Sequence, residues 1–199
     1  MNKMLNIVIF GPPGAGKGTQ SLKLKEKYGL IHISTGDVFR ALDPESELAK
    51  IAKSYSEKGN LVPDDITIKI LESEVSKHPN ASGVIYDGFP RTSAQAKALD
   101  EFLLRKNSSI TVALALEVDE DELRNRLKNR ALQSNRPDDA DPAIIQNRID
   151  VYHRQTAPVA EFYKSCGKYV GVKGIGTIDD IFSRLCMAIE QLTAQSSKE

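Results

Sequence analysis

A short, mostly apolar run, LNIVIF, leads directly into GPPGAGKGTQ at positions 11–20. Gly11, Gly16 and Lys17 satisfy the phosphate-loop pattern G-x-x-x-x-G-K, with a strand pattern before it and a helical pattern after it. That setting admits few folds, because the loop works only where a buried strand delivers it to a helix N-terminus. Glycine lets the backbone curl, so that the N–H groups of Gly14, Ala15, Gly16, Lys17, Gly18 and Thr19 can point inward at phosphate oxygens. The helix starting near Lys17 adds the positive end of its dipole. Lys17 adds a full charge for β- and γ-phosphates. Gly18 stands where Ser or Thr usually ligates Mg²⁺, which leaves the metal to Thr19, or to phosphates and water. The motif implies binding of a nucleoside triphosphate.

The rest of the chain alternates short apolar runs with amphipathic stretches, the pattern of a parallel sheet wound by helices. Strands are expected at 5–10, 30–33, 83–86, 110–116 and 168–172. Helices are expected at 17–28, 64–77, 93–106, 119–130, 142–164 and 178–192. Two stretches break the alternation. Residues 35–63 read as helix and turn with no following strand, and residues 131–141 are polar and proline-punctuated, in the manner of binding loops. The expected organisation is a core of 1–34, 64–130 and 142–199 with a flap at 35–63 and a short lid at 131–141.

Lys plus Arg and Asp plus Glu each number 27, so the net charge is zero. A coat for nucleic acid or an anionic membrane wants a basic excess, so neither partner is expected. No run approaches the ~18 apolar residues of a membrane span, and the N-terminal run is too short for a signal-peptide core. Cys166 and Cys186 form no metal-binding spacing and read as reduced thiols. A cytoplasmic monomer is expected.

Three clusters lie downstream of the phosphate loop. They are Ser34-Thr35-Gly36-Asp37 with Arg40, Gly59-Asn60-Leu61-Val62-Pro63-Asp64, and Asp87-Gly88-Phe89-Pro90-Arg91-Thr92 with Gln95. Arg40 and Arg91 each carry a planar fork suited to a phosphate. Gln95 both donates and accepts, so it can read an adenine edge. Asp87 ends the apolar run GVIYD, where a carboxylate can hold the water shell of Mg²⁺; an N-cap or turn is the alternative. Arg126 and Arg130 lie four apart on one helix face, beside the stripe of Leu123 and Leu127. Arg136 follows in the polar insert and Arg148 in the next helix. No acid or nucleophile stands at catalytic spacing from His32, His78 or His153, so all three read as structural.

The order of these clusters, from about Asn6 to Leu192, resembles the adenylate kinase family of the short-lid type. The resemblance implies reversible transfer of the terminal phosphoryl group of Mg-ATP to AMP, giving two ADP. It implies AMP contacts from Thr35, Arg40, Asn60, Leu61, Val62, Gly88, Phe89, Pro90, Arg91 and Gln95. By the same resemblance Arg126 and Arg130 serve ATP, and Arg136 and Arg148 reach the transferring phosphates and AMP. Lys17, Arg91 and these four arginines make up the implied catalytic set. The backbone at Gly176 would lie against the ATP adenine. Asp138 and Asp139 in the polar insert read as steadying the lid by pairing with arginines, with a metal role as the alternative. The run ALDPESEL after Arg40 is shorter than the family's and inserts Pro44.

Two alternatives remain open at this level. The related UMP/CMP kinases typically have Ala where this chain has Thr35 and Asn where it has Thr92, which favours AMP. A nucleotide-operated switch needs no second basic pocket, and no Asn-Lys-x-Asp guanine-reading motif is present. The chain offers no obvious general base, and an AMP phosphate that is already anionic at neutral pH needs none.

Overall fold

The computed structural model describes residues 4–133, 139 and 141–195. Five parallel strands form one sheet: β1 (Ile7–Phe10), β2 (Ile31–Ser34), β3 (Val84–Asp87), β4 (Val112–Glu117) and β5 (Tyr169–Lys173). Their spatial order is β2-β3-β1-β4-β5, which puts the strand that feeds the phosphate loop in the centre. The sheet is buried on both sides, and side chains alternate between two cores. Val8, Phe10, Val84, Tyr86, Ala113 and Ala115 face one core, while Ile7, Ile9, Ile85, Val112, Leu114 and Leu116 face the other. That two-sided burial explains why these strands read as continuous apolar runs.

Helices cover both faces, as the alternation predicts. On one side lie α1 (Lys17–Tyr28), α6 (Glu120–Gln133) and α9 (Ile178–Gln195), through Leu24, Leu123 and Leu185. On the other lie α4 (Asp64–Ser76), α5 (Ser93–Arg105) and α8 (Val159–Ser165), through Leu71, Leu99 and Tyr163. Two short helices, α2 (Thr35–Arg40) and α3 (Glu47–Ser56), occupy the expected flap segment. Ser34 caps α2 and Ser46 caps α3, the latter just beyond the Pro44 turn. Helix α7 (Pro142–Val151) starts with Asp141 as its cap and Pro142 at the first helical position, where a missing N–H costs no helix bond.

The expected single helix over 142–164 is corrected. After α7 the backbone widens into a π-turn at Tyr152–Thr156, where the Ala157 N–H donates to Tyr152 O at 2.8 Å, and α8 begins beyond Pro158. Pro158 has no N–H to donate and its ring crowds the carbonyl four residues back, so a regular helix cannot run through it.

Candidate active site

The loop after β1 curls through left-handed glycines, with φ of 85° at Gly14 and 94° at Gly16. A Cβ at Gly14 would also approach within 3.0 Å of Leu127 on α6, so the cradle is packed from behind and only glycine suits both its backbone and its space. Lys17 opens α1 and folds back, its Nζ donating to Gly11 O at 2.8 Å and Pro12 O at 3.0 Å. Burial pushes this ammonium down from 10.5 to about 7; Asp87 opposes the shift, while Arg91, Arg148 and Arg130 add to it. Thr19 is exposed on α1.

Arg126 ties the loop to its surroundings. Its Nε donates to Glu122 Oε1 at 2.7 Å, Nη1 to Ala15 O at 3.4 Å and Nη2 to Gly174 O at 2.9 Å. One guanidinium thus joins α6, the phosphate loop and the turn after β5, where Gly176 adopts φ 121°. Asp87 is 7% exposed at the end of β3, in register with Ser34 and Ile9 on its two neighbours. A Cβ at Gly18 would lie 3.8 Å from Asp87 Oδ2, so the carboxylate sits beside the start of α1. His32 Nε2 lies 3.2 Å from the same oxygen. No acid stands at catalytic spacing from this histidine in the sequence; the pairing of β2 with β3 supplies one from 55 positions away.

A cavity of about 620 Å³ opens onto the loop at Gly11, Pro13 and Lys17. Thr35, Arg40, Asn60, Leu61, Val62, Gly88, Pro90, Arg91, Gln95 and Arg148 all line it. Phe89, expected with them, is instead buried in the core below, at 1% exposure. Phe39, Leu42 and Ala52 line the cavity without having been singled out from the sequence. Apolar residues on short helices and their connecting turn look the same in sequence whether they face a core or a ligand.

The polar groups here are held by the fold. Thr35 Oγ1 donates to Gly88 O at 2.9 Å, and Arg91 Nε donates to the same oxygen at 2.7 Å. Gly88, at φ 72°, allows this approach, since a Cβ there would come within 2.8 Å of Arg91 Nη2. Arg40 Nη2 donates to Asp37 Oδ1 at 2.5 Å. Arg130 and Arg148 converge on Asp139, whose carboxylate is fully buried. Arg130 donates to both of its oxygens, at 2.5 and 2.7 Å, and Arg148 Nη1 donates to Oδ1 at 2.6 Å. Burial pushes the Asp139 carboxyl up, but its bonds and charge contacts with the two guanidinium groups outweigh that and hold it below the usual range. Arg136 and Asp138 lie outside the described residues.

A lysine shared between a phosphate loop and a basic cavity is the layout of a phosphate-loop kinase, which must bring two phosphate-bearing ligands to one point. Comparison with known proteins narrows the class. A family model described as adenylate kinase matches residues 9–168. Adenylate kinases of Flavobacterium psychrophilum and Parabacteroides distasonis are 52% and 50% identical to it over 190 residues, 95% of this chain and all of each relative. That of Bacteroides thetaiotaomicron is 50% identical over the same span. The chain belongs to the adenylate kinase family; it is an enzyme, a phosphotransferase that binds nucleotides. Among the described residues no helix is long and apolar enough to cross a membrane.

Proposed function

We propose how this cleft performs the adenylate kinase reaction, the reversible transfer of the terminal phosphoryl group of ATP to AMP giving two ADP. The phosphate loop, residues 14–19, holds the ATP phosphates with Arg126 and Arg130, and the turn at Gly176 borders its adenine. The cavity holds AMP, with Thr35, Gln95 and the backbone of Asn60, Leu61 and Val62 around the base. Gly88 and Pro90 shape the floor, Phe89 supports it from the core, and Arg40 and Arg91 take the AMP phosphate. The observation that carries this reading is that Lys17, whose ammonium folds back onto the phosphate loop at Gly11 and Pro12, also lines the acceptor cavity. A phosphoryl group passing from one ligand to the other would never leave the reach of Lys17, Arg91 and Arg148.

No residue is asked to abstract a proton. The AMP phosphate, with a second pKa of about 6, is already a nucleophile at neutral pH. Two bound nucleotides bring roughly six negative charges, and the lysine with its ring of arginines supplies the compensating field. Arg130 and Arg148 would exchange Asp139 for phosphate oxygens as ligands enter, with Arg136 joining them from the lid. The flap, 35–63, and the lid, 131–141, exclude water that would compete as acceptor.

Mg²⁺ would arrive with ATP. The described residues contain no group of three His, Cys, Asp or Glu side chains able to hold a metal, and Gly18 brings no hydroxyl. That donor set fits an ion held mainly by phosphates and water, with Asp87 ordering the water shell. The ion would neutralise phosphate charge in the transfer. A monomer in the cytoplasm, with ATP, ADP and AMP as its small-molecule partners, completes the reading.

The test is diphosphate formation from Mg-ATP with AMP, UMP, CMP, GMP and dTMP, beside a no-acceptor control. Turnover with AMP alone is expected. Preference for a pyrimidine acceptor would keep the fold but overturn the roles of Thr35 and Gln95. Lys17→Met and Arg91→Ala should each cut turnover by about two orders of magnitude or more, as loss of transition-state charge partners does.

A further inference from the structure

We infer that Asp64 sets the purine specificity of the acceptor cavity, by holding the Gln95 amide in the one orientation that matches adenine and opposes a 6-oxopurine. The inference rests on the reading that Gln95 faces the acceptor base. Asp64 is the first residue of α4, and its carboxylate bridges to the start of α5. Oδ2 accepts from Thr92 Oγ1 at 2.8 Å and Oδ1 accepts from Gln95 Nε2 at 2.7 Å. Thr92, the cap of α5, accepts in turn from the Gln95 backbone N–H at 3.1 Å. The other end of the same amide is held too, because Gln95 Oε1 accepts from the Arg91 backbone N–H at 2.7 Å.

These two partners differ in kind, and that difference matters. A backbone N–H only donates, and an ionised carboxylate only accepts. Turning the amide by half a revolution would set N–H against N–H and oxygen against carboxylate. Gln95 is 1% exposed, so no bulk water relieves either mismatch. The amide therefore has one orientation. Of its two N–H groups and two oxygen lone pairs, the protein takes one of each, and the remaining pair is left for a ligand at the cavity wall.

Adenine presents a donor at N6 beside an acceptor at N1. A 6-oxopurine presents an acceptor at O6 beside a donor at N1, the same two positions with the pattern inverted. A glutamine free to flip would serve both. A locked one offers two hydrogen bonds to adenine and two like-on-like contacts to hypoxanthine. Glutamine by itself does not choose between these bases; its fixed orientation does. The Arg91 N–H is backbone, so Asp64 is the half of the lock that a side chain provides. It acts through Gln95 and is a positioning residue.

The experiment compares AMP with IMP as acceptor under saturating Mg-ATP. IMP changes the 6-position and N1 and adds no 2-amino group. In Asp64→Asn the amide can present either a donor or an acceptor to Gln95, at nearly unchanged shape. Its IMP-to-AMP ratio of kcat/KM should rise about tenfold, roughly the worth of one strong hydrogen bond. The change should come through a higher KM for AMP, with kcat and KM for ATP little altered. Asp64→Ser, whose hydroxyl also donates or accepts, carries the same test if the asparagine variant folds poorly. Asp65→Asn removes the same charge from the same helix turn at an exposed position and should leave the ratio alone. Gln95→Leu distinguishes the two ways of failing. If it leaves the ratio at its wild-type value, Gln95 does not read the base and the inference falls with that reading. If it shifts the ratio while Asp64→Asn and Asp64→Ser do not, Gln95 reads the base without needing the lock, and the role of Asp64 is refuted.

Discussion

Lys17 enters the reaction with its charge already disfavoured, since burial and the neighbouring arginines push the ammonium from 10.5 to about 7. A bound triphosphate reverses that field and favours the charged form. Below pH 7 the lysine is protonated before ATP arrives, and affinity should not depend on this group. Above pH 7 binding must take up a proton, and each unit costs about tenfold until the bound-state pKa is reached. With a free-enzyme value of about 7, affinity for Mg-ATP should be about tenfold weaker at pH 8, and about a hundredfold weaker at pH 9, than at pH 6. The assay is calorimetric titration with a non-hydrolysable ATP analogue, without acceptor, at constant ionic strength and saturating Mg²⁺. Lys17→Met should bind weakly at every pH and lose most of the slope. The ligand-free protein gives a second readout with the opposite sign. Between about 7 and 10.5 the unfolded lysine holds a proton that the folded one has lost, so this residue makes stability rise with pH across that window. A wild-type binding curve flat within twofold from pH 6.5 to 9 would refute the reasoning.

Asp139→Ala should destabilise the protein by about 3 kcal/mol in urea unfolding, because it removes the fully buried partner shared by Arg130 and Arg148. The wild-type contribution of Asp139 is complete above the unfolded value of 3.8 and lost as pH falls through its lower folded value, so Asp139→Asn should flatten that part of the acid-unfolding profile. Gly88→Ala places a Cβ 2.8 Å from Arg91 Nη2 and 3.3 Å from Thr35 Oγ1 at a left-handed residue. Its backbone cost of about 1–2 kcal/mol should lower the melting temperature, and the displaced arginine should raise KM for AMP more than KM for ATP. Equal changes in both constants would argue against Arg91 as an acceptor-side group.

All five strands fall within a residue or two of their expected positions; two-sided burial writes β1, β3 and β4 as near-continuous apolar runs, while the partly exposed outer strands β2 and β5 are interrupted by polar residues or glycine. The periodicity begins the fourth strand at Ile110, whose neighbour Thr111 donates its N–H to Asn6 O before the β1–β4 ladder opens at Val112. Pro158 was present to be read as a break in the 142–164 helix, yet the apolar spacing on either side concealed it. The interplay of Asp64 with Gln95 left no local trace at all, since an acid after a proline at a helix start reads equally well as dipole compensation.

What the sequence determined by itself was local. Glycine spacing, the helix that begins at Lys17 and the caps at Asp141 and Thr92 each depend on a few neighbouring residues and their backbone preferences. The tertiary structure alone decided which groups meet. Arg126 reaches Ala15 across 111 positions, His32 reaches Asp87 across 55 and Gln95 reaches Asp64 across 31. Those contacts follow from the order and register of parallel strands, which bring separate βα units together around the carboxyl ends of the strands. The positions of residues along the chain do not encode that juxtaposition; it emerges when the apolar faces of the strands and helices are buried together.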